Sequence, residues 1–381
     1  MKGRLVLARP RSLAALCRGR RSDRWRRRER RRKRERGRSR DRGRTAGAAA
    51  ARWQRHASRF ATRLAQLALG LAFDELLGDP RRYHPVAGFG SLAAAVEGVL
   101  RWRGLGARRP ATRATRARVA GAAGASLLAG AVAGAALVGG AAGAAALVER
   151  AGSWATRRLG RGRPLGRVLA GAAVVWVCVG RRSLLREVEA VAQATARGDV
   201  EAARARLPAL CGRDPQALDA PALRRAVVES LAENLNDALL STLVWGLLAG
   251  PAGAAAHRAA NTLDAMWGYR DERYRHFGRF AARLDDLLGW PGARLGVLLT
   301  ALRAPLVGGS ARGVLAAVRR FGHLHPSPNA GPMEAAFAGA LGVRLGGPVR
   351  YGGRLERRPW LGEGRDPSDQ TVRDALRLAG A

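Results

Sequence analysis

From Val119 to Val148 the sequence reads VAGAAGASLLAGAVAGAALVGGAAGAAALV, without one charged side chain. About 20 consecutive apolar residues are enough for a helix to cross the hydrocarbon core of a bilayer. A second uncharged run, from Ala238 to Ala256, is also of roughly crossing length. The alanines and glycines of both runs would let membrane helices approach one another closely. We therefore predict an all-α, polytopic helical membrane protein with amphipathic interfacial helices.

Weaker apolar stretches cover residues 64–78, 168–180 and 296–302. Short stretches of this kind also occur as buried core helices, so they do not by themselves count membrane spans. Arginines crowd both flanks of the long uncharged run. The positive-inside rule therefore assigns no orientation unless that run turns back at Gly139 and Gly140.

The net charge of +39 is unevenly distributed. Residues 1–44 hold 21 Lys or Arg against 4 Asp or Glu, a net +17, without hydrophobic periodicity. Such a tract is typical of disordered segments that adhere to anionic lipid or RNA, and it lacks the apolar core of a signal peptide. We predict a disordered Arg-rich tract over residues 1–50, a helical membrane domain over 51–350 and a C-terminal tail over 351–381.

Lysine and cysteine usage excludes several mechanisms. The two lysines, Lys2 and Lys33, lie in the basic tract, so a Schiff-base lysine, a lysine-type P-loop and an adenylated lysine are excluded elsewhere. The three cysteines are scattered and lack CxxC spacing, so no disulfide framework or zinc site is predicted. GxSxG and HExxH motifs are absent as well. Any phosphate must be held by arginine, backbone amides or a metal ion.

An amphipathic helix is predicted over residues 219–240. Asp219 is a suitable N-cap, and Pro221 lies in the first turn, where proline is tolerated. Before this helix, residues 181–221 are interrupted by Gly198 and Pro208 and predict a solvent-exposed helical hairpin. The apolar side of the predicted amphipathic helix consists of Leu223, Val227, Leu231, Leu235 and Leu239.

The opposite side of this helix is acidic. Glu229, Glu233 and Asp237 recur every four residues, so three carboxylates stack along one face, where like charges repel one another. Oxygen ligands on successive turns can share one Mg²⁺ ion that also holds the phosphates of a nucleotide. The alternative is a solvated helix face with Arg225 as counter-ion.

A second polar stretch, NTLDAMWGYRDERYRHFG, runs from Asn261 to Gly278 between apolar flanks. Carboxylates, amides and an imidazole at helical spacing predict a binding face here. Guanidinium groups in the same stretch provide anion-binding capacity. The alternative is an interfacial loop whose arginines meet lipid headgroups. The residues that share the helical face are His257, Asn261 and Asp264, and the arginines are Arg258, Arg270, Arg273 and Arg275.

Two shorter motifs follow in the C-terminal part. Asp285 and Asp286 close a short amphipathic segment, and either one of them ligates metal or both form a surface pair beside Arg283. The sequence HPSPNAG, which begins at His325, contains two prolines and a glycine and predicts a rigid loop. His325 and Asn329 are suited to orient a polar substrate group. Most His-Pro loops are structural, and Glu334 is interpreted as a cap of the following helix.

Taken together, these motifs resemble the CobD/CbiB family, the adenosylcobinamide-phosphate synthases of cobalamin biosynthesis. The resemblance runs from LLGDPRRYHPV at residues 76–86 through ESLAENLNDALLSTLVWGLL to HPSPNAG, and it covers residues 64–347. The motifs occur in the family's order. NTLDAMWGYRDERYRHFG and HPSPNAG are its most specific parts.

This resemblance implies a multi-pass protein of the cytoplasmic (inner) membrane. It implies an ATP-dependent, amide-forming ligase that joins aminopropanol or its phosphate to the propionate carboxyl of adenosylcobyric acid. ATP and Mg²⁺ would be its cofactors. Its partners would be the two substrates, the lipid bilayer and other membrane enzymes of the late corrinoid pathway, with no specific nucleic acid.

The resemblance also suggests roles for individual residues. The implied metal ligands are Glu229, Glu233 and Asp237. The implied substrate contacts are Arg258, Asn261, Asp264, Tyr269, Arg273, Arg283 and Asn329. The implied catalytic groups, which would deprotonate the amine or orient the substrate, are His84, Glu233, Asp237, His276 and His325.

Two alternative functions use the same residues differently. A transporter or carrier of a corrinoid or another anionic solute would place the arginines and carboxylates at a site near the bilayer midplane. A membrane-tethered RNA-binding module would depend on the basic tract alone.

Overall fold

The structure, a computed structural model, describes residues 52–80, 84–103, 116–158, 163–269, 271–351 and 354–380. The chain divides into two compact units, residues 1–61 and 62–381. In the first unit, residues 52–61 are helical. The predicted disordered tract over residues 1–50 lies outside the described residues. All further description concerns the second unit.

Four helices form the N-terminal half of this unit: α1 (62–77), α2 (Pro85–Trp102), α3 (Arg116–Arg158) and α4 (Arg163–Cys178). α3 is one continuous helix, so the chain does not turn back at Gly139 and Gly140.

The C-terminal half contains the remaining elements. Its helices are α5 (Arg181–Ala196), α6 (Val200–Arg206), α7 (Ala220–Leu235), α8 (Ser241–Ala249), α9 (Pro251–Trp267), α10 (Arg279–Arg303), α11 (Ala311–Phe321), α12 (Ala330–Leu341) and α13 (Asp369–Ala379). Its strands are β1 (Leu345–Tyr351) and β2 (Arg354–Leu361). Short 3₁₀ turns cover Leu207–Ala209, Pro215–Ala217 and Ala304–Val307.

Two stretches of the described residues are long and apolar enough to cross a membrane: Gly121–Arg158 on α3, and Pro164–Ala196, which runs from α4 into α5. Only 22% and 33% of their most apolar windows are buried inside the protein. Leu128 and Val132, for example, are 64% and 61% exposed. Protein neighbours therefore leave most of this apolar surface uncovered.

The predicted crossing from Ala238 to Ala256 is wrong as a single helix. Gly250 has a φ of 74°, a conformation that glycine adopts without a Cβ clash, and it separates α8 from α9. Pro251 then occupies the first position of α9. The two helices meet at this break, so neither spans the uncharged run alone.

The all-α prediction needs one correction. β1 and β2 pair antiparallel, with Leu345 opposite Leu361 and Val349 opposite Glu356. The predicted C-terminal tail is also folded, because it contains β2 and α13, whose Val372 and Ala375 are buried. Glycines, proline and arginines in this segment mask the alternating pattern that usually predicts strands.

α7 matches its prediction closely. The Asp219 side chain accepts a hydrogen bond from the backbone N–H of Ala222, and the predicted apolar face is buried. The helix continues through a π-helical turn, Asn236–Leu240, directly into α8. The predicted hairpin of α5 and α6 is present as well. Its polar face is solvent-exposed, as at Glu189 and Gln193, while Val188 and Val191 of α5 are fully buried.

Two clusters of buried apolar side chains hold the unit together. The larger one joins α5, α7, α10, α12, α13 and the β-hairpin. The smaller one joins α2, α3 and α9 to the segment before α10, where Trp267 and Phe277 meet edge to face with ring centroids 4.9 Å apart.

Candidate functional site

Carboxylates from three helices gather around one amide side chain. Asn261 of α9 donates from Nδ2 to Oδ2 of Asp237, 3.1 Å away. Asn236 donates to the other oxygen, Oδ1, at 2.9 Å. Asp237 interacts electrostatically with Glu233, one turn earlier, and with Asp285 of α10, which in turn interacts with Asp264 of α9. We call Glu233, Asp237, Asp264 and Asp285 the acidic cluster.

The carboxylates of the acidic cluster hold protons unusually tightly. Burial, followed by the charge of Glu233, raises the pKa of Asp237 to about 7. Burial, followed by the charges of Asp286 and Glu233, raises the pKa of Asp264 to about 6. Burial and the charges of Asp237 and Asp264 place the pKa of Asp285 well above its ordinary value. A cation bound among these groups would relieve their repulsion and lower their pKa values.

Glu233 is the most accessible member of the acidic cluster. Its side chain is exposed, yet enough protein surrounds it for burial to raise its pKa. Glu233 therefore offers its carboxylate to molecules that enter from solvent.

The π-helical turn is packed tightly against α10. Ser241 Oγ donates to Asn236 Oδ1 at 2.8 Å, and it also lies 3.2 Å from the carbonyl oxygen of Gly289. A Cβ atom at Gly292 would collide with Ser241 and with the Asn236 side chain. Glycine at this position is what allows α10 to approach and Asp285 to reach Asp237. π-Helical turns often occur at functional sites.

Glu229 has a different environment from the one predicted. It forms a buried ion pair with Arg213, and its Oε1 accepts a hydrogen bond from the backbone N–H of Gly346 at 2.5 Å. Gly346 lies at the β-bulge with a φ of 80°. Both carboxylate oxygens of Glu229 thus accept hydrogen bonds from protein groups, and its role as a metal ligand stays a prediction. Helical periodicity predicts the face of a residue but not the element that covers it.

The HPSPNAG loop is structured through its own polar groups. His325 Nδ1 accepts the backbone N–H of Ser327 at 3.0 Å, and its Nε2 lies 3.9 Å from Glu334 Oε1. Asn329 Nδ2 donates to the carbonyl oxygen of Asp286 at 2.9 Å. The loop thereby contacts α10 beside the acidic cluster. Because Nδ1 is already an acceptor, His325 retains only Nε2 for other chemistry.

The interpretation of Glu334 as a helix cap is wrong. Glu334 is 2% exposed and lies within the first turns of α12, whose N-cap is Asn329. Burial, followed by the charges of Glu229 and Glu233, raises its pKa well above the ordinary value. Arg213 and Arg358 act in the opposite direction. Glu233 therefore interacts electrostatically both with Asp237 of the acidic cluster and with Glu334.

Several predicted site residues lie outside the acidic cluster. His84 caps α2, where its Nδ1 accepts the backbone N–H of Val86. Tyr269 is exposed and stacks near Tyr274. Arg273 donates to Glu97 on α2. Within the described residues, no hydrogen bond or ion pair joins the following residues to the acidic cluster: His84, Tyr269, Arg273 and His276.

Two predicted arginines do border the acidic cluster. Arg258 Nη1 lies 3.4 Å from Asn261 Oδ1. Arg283 pairs with Asp286 at 3.5 Å, and its side chain is 74% exposed. Both can neutralise negative charge at the site, and Arg283 can also reach a solute from outside.

The oxygen-only donor set fits a hard cation. Oδ1 of Asp285 is buried without a hydrogen-bond partner. In the described part of the chain, however, no group of three or more His, Cys, Asp or Glu side chains is arranged to hold a metal ion. Mg²⁺ typically binds through one or two carboxylates, water and substrate phosphates. The residues fit such a shared ion, and an all-protein cage does not form among them.

Sequence reasoning missed several buried charges. Glu97 accepts hydrogen bonds from Arg101, Arg273 and Tyr274, and it fastens the segment between α9 and α10 onto α2. A lone carboxylate in an otherwise apolar helix was the available signal. The buried Arg213 lies in a loop and the half-buried Arg358 in a strand, where no periodicity marks them.

Most of the chain is similar to known proteins. The family model described as CobD/Cbib protein matches residues 67–379. A protein of Mycobacterium tuberculosis named cobalamin biosynthesis protein CobD is 45% identical over 323 residues, 85% of this chain and 93% of the relative. A protein of the same name from Chromobacterium violaceum is 42% identical over 312 residues, 82% and 90% of the two chains. No solved structure matches. The chain belongs to the CobD/Cbib protein family.

Proposed function

We propose that the chain acts in cobalamin biosynthesis as an ATP-dependent ligase of the inner membrane. It would join aminopropanol or its phosphate to the propionate carboxyl of adenosylcobyric acid. Membership of the family supports the pathway. The observation that carries the reaction type is the acidic cluster around Asn261, because its oxygen-only donors suit a cation that is shared with phosphates.

A carboxylate is a poor acyl donor, so the propionate must first be activated. ATP with Mg²⁺ would transfer a phosphoryl group to the propionate oxygen and release ADP. The amine nitrogen then attacks the acyl carbon, the C–N bond forms and phosphate leaves. The protein's task is to hold the charged groups in position and to accept the amine proton.

The chain's own residues divide this work by position. Asp237 and Asp285 would ligate the cation, and Asn261 holds Asp237 in place through its 3.1 Å hydrogen bond. Glu233, whose side chain is exposed, would take the proton from the amine. Arg283 at the rim would meet the anionic substrate.

The proposal is tested by supplementing a strain that lacks this protein. Growth with cobinamide but not with cobyric acid is the expected result, because the missing step lies between the two. Purified protein in detergent should then form the amide from adenosylcobyric acid only when ATP, Mg²⁺ and the amine are all present. Loss of corrinoid uptake in uptake assays, with amide synthesis intact in extracts of the same strain, would instead indicate a transporter.

A further inference from the structure

An apolar cavity of about 630 Å³ lies between α2, α3, α4 and α9. This volume falls within the range of about 300–1,000 Å³ that is typical of ligand pockets. Small residues on α3, such as Gly140, Ala141 and Ala144, leave the space open. α3 and α4 are also the two helices whose apolar surfaces are mostly uncovered by protein. The cavity therefore opens within the part of the fold that is suited to lipid.

One polar feature interrupts this lining. Arg258 is the one charged residue among the described residues that line the cavity. Its Nε is buried and has no hydrogen-bond partner in the described structure. A guanidinium beside an apolar lining costs free energy unless an anion pairs with it, and a phosphate is the kind of anion that arginine binds best. The cavity thus combines an apolar lining with one cationic side chain, that of Arg258.

We propose that this cavity binds one membrane phospholipid, with an acyl chain along α3 and α4 and the phosphate at Arg258. The inference rests on the membrane insertion included in the proposed function. Arg258 would then link the lipid phosphate to the acidic cluster, since its Nη1 lies 3.4 Å from Asn261 Oδ1. A bound phospholipid would complete the wall behind the site.

The test is native mass spectrometry of the full chain, stripped in detergent and titrated with dioleoyl phosphatidylglycerol. Wild type should retain one lipid per chain. Ala144→Phe fills the cavity and should weaken retention at least tenfold. Ala135→Phe, on an exposed position of α3 outside the cavity lining, should bind like wild type. Equal retention by all three proteins would overturn the proposal. If Ala144→Phe does not fold, Ala141→Leu replaces it.

A second comparison tests the phosphate. Wild type should prefer dioleoyl phosphatidylglycerol over dioleoylglycerol, and Arg258→Gln should abolish this preference while one chain still binds. A preference that survives in Arg258→Gln would contradict the assignment of the phosphate. Amide synthesis is measured in parallel. Lipid retention without synthesis would refute the ligase and leave the lipid site intact. Synthesis without lipid retention would refute the lipid site and leave the ligase intact.

Discussion

The two halves of the molecule treat charge in opposite ways. Around the apolar cavity of α2, α3, α4 and α9, Arg258 is the single charged residue of the described lining. Around α7, α10, α12 and the β-hairpin, carboxylates and guanidinium groups are buried together, as Glu229 and Arg213 are. The difference lies in the partners: Glu229 is buried against the guanidinium of Arg213, whereas the described lining of the cavity surrounds Arg258 with apolar residues.

α9 belongs to both regions. Ala255, Ala259 and Thr262 face the cavity. Asn261 and Asp264 face the acidic cluster. α9 thus separates the apolar cavity from the acidic cluster. Substitutions on its two sides should therefore have separable effects on lipid binding and on activity.

The largest effect is expected from Asp237→Asn. This change removes the central charge of the acidic cluster and leaves its shape, so amide formation should fall at least about 1,000-fold, or about 4 kcal/mol of transition-state stabilisation. The protein should still fold, because the apolar contacts of α7 are unchanged. Rates of adenosylcobinamide formation and circular dichroism measure the two properties. Turnover like that of wild type would remove Asp237 from the mechanism.

Arg213→Met should be nearly as severe, but for stability. It leaves the carboxylate of Glu229 buried without its cation, which costs about 3–5 kcal/mol. Thermal unfolding in detergent measures the loss. Arg320→Met is the matched control, because its ion pair with Glu363 is exposed on both sides and should contribute less than about 1 kcal/mol. Equal melting temperatures for the two variants would refute the comparison.

Gly292→Ala should come next. The added methyl group would press on Ser241 and Asn236 and push α10 away from the π-helical turn, at a cost of about 2 kcal/mol and with lower activity. Gly143→Ala on α3 has open space around the new methyl group and should be neutral or slightly stabilising. The melting temperature and the turnover of both variants measure the effects on stability and activity. A loss in Gly143→Ala as large as that in Gly292→Ala would show that helix composition, not this contact, matters.

The smallest effect is a pH dependence. The pKa of Asp237 is raised to about 7, so the side chain is mostly protonated below that pH and cannot hold a cation. kcat/KM should therefore rise with pH up to about 7 and fall roughly tenfold per pH unit below it. The effect of Asp237 on folding stability has the opposite sign, since a raised carboxyl pKa favours the folded state at low pH and this contribution is lost between about pH 4 and 7. A flat kcat/KM profile from pH 6 to 8 would contradict the assignment.

Sequence patterns were informative wherever local physics decides the outcome. The N-cap at Asp219 and the buried face of α7 follow from capping and helical periodicity. The contact between Asp237 and Asn261 joins two helices, and periodicity gives the face of each residue but not this pairing. Nor does periodicity predict that Glu229 accepts a hydrogen bond from the backbone of Gly346, more than a hundred residues further along the chain. The same holds for Glu97, which joins α2 to Arg273. Long-range pairing of charges has no period from which it could be read.

The extra residue in the turn Asn236–Leu240 has a consequence for comparing relatives. A homologue one residue shorter at this point would close the turn as ordinary α-helix and keep both flanking helices intact. Its aspartate would then be rotated away from the asparagine of α9. Such a protein would align well and fold, yet under the proposed function it would lack the Asp237 carboxylate at the site. The length of this turn would then distinguish active from inactive relatives more simply than overall similarity does.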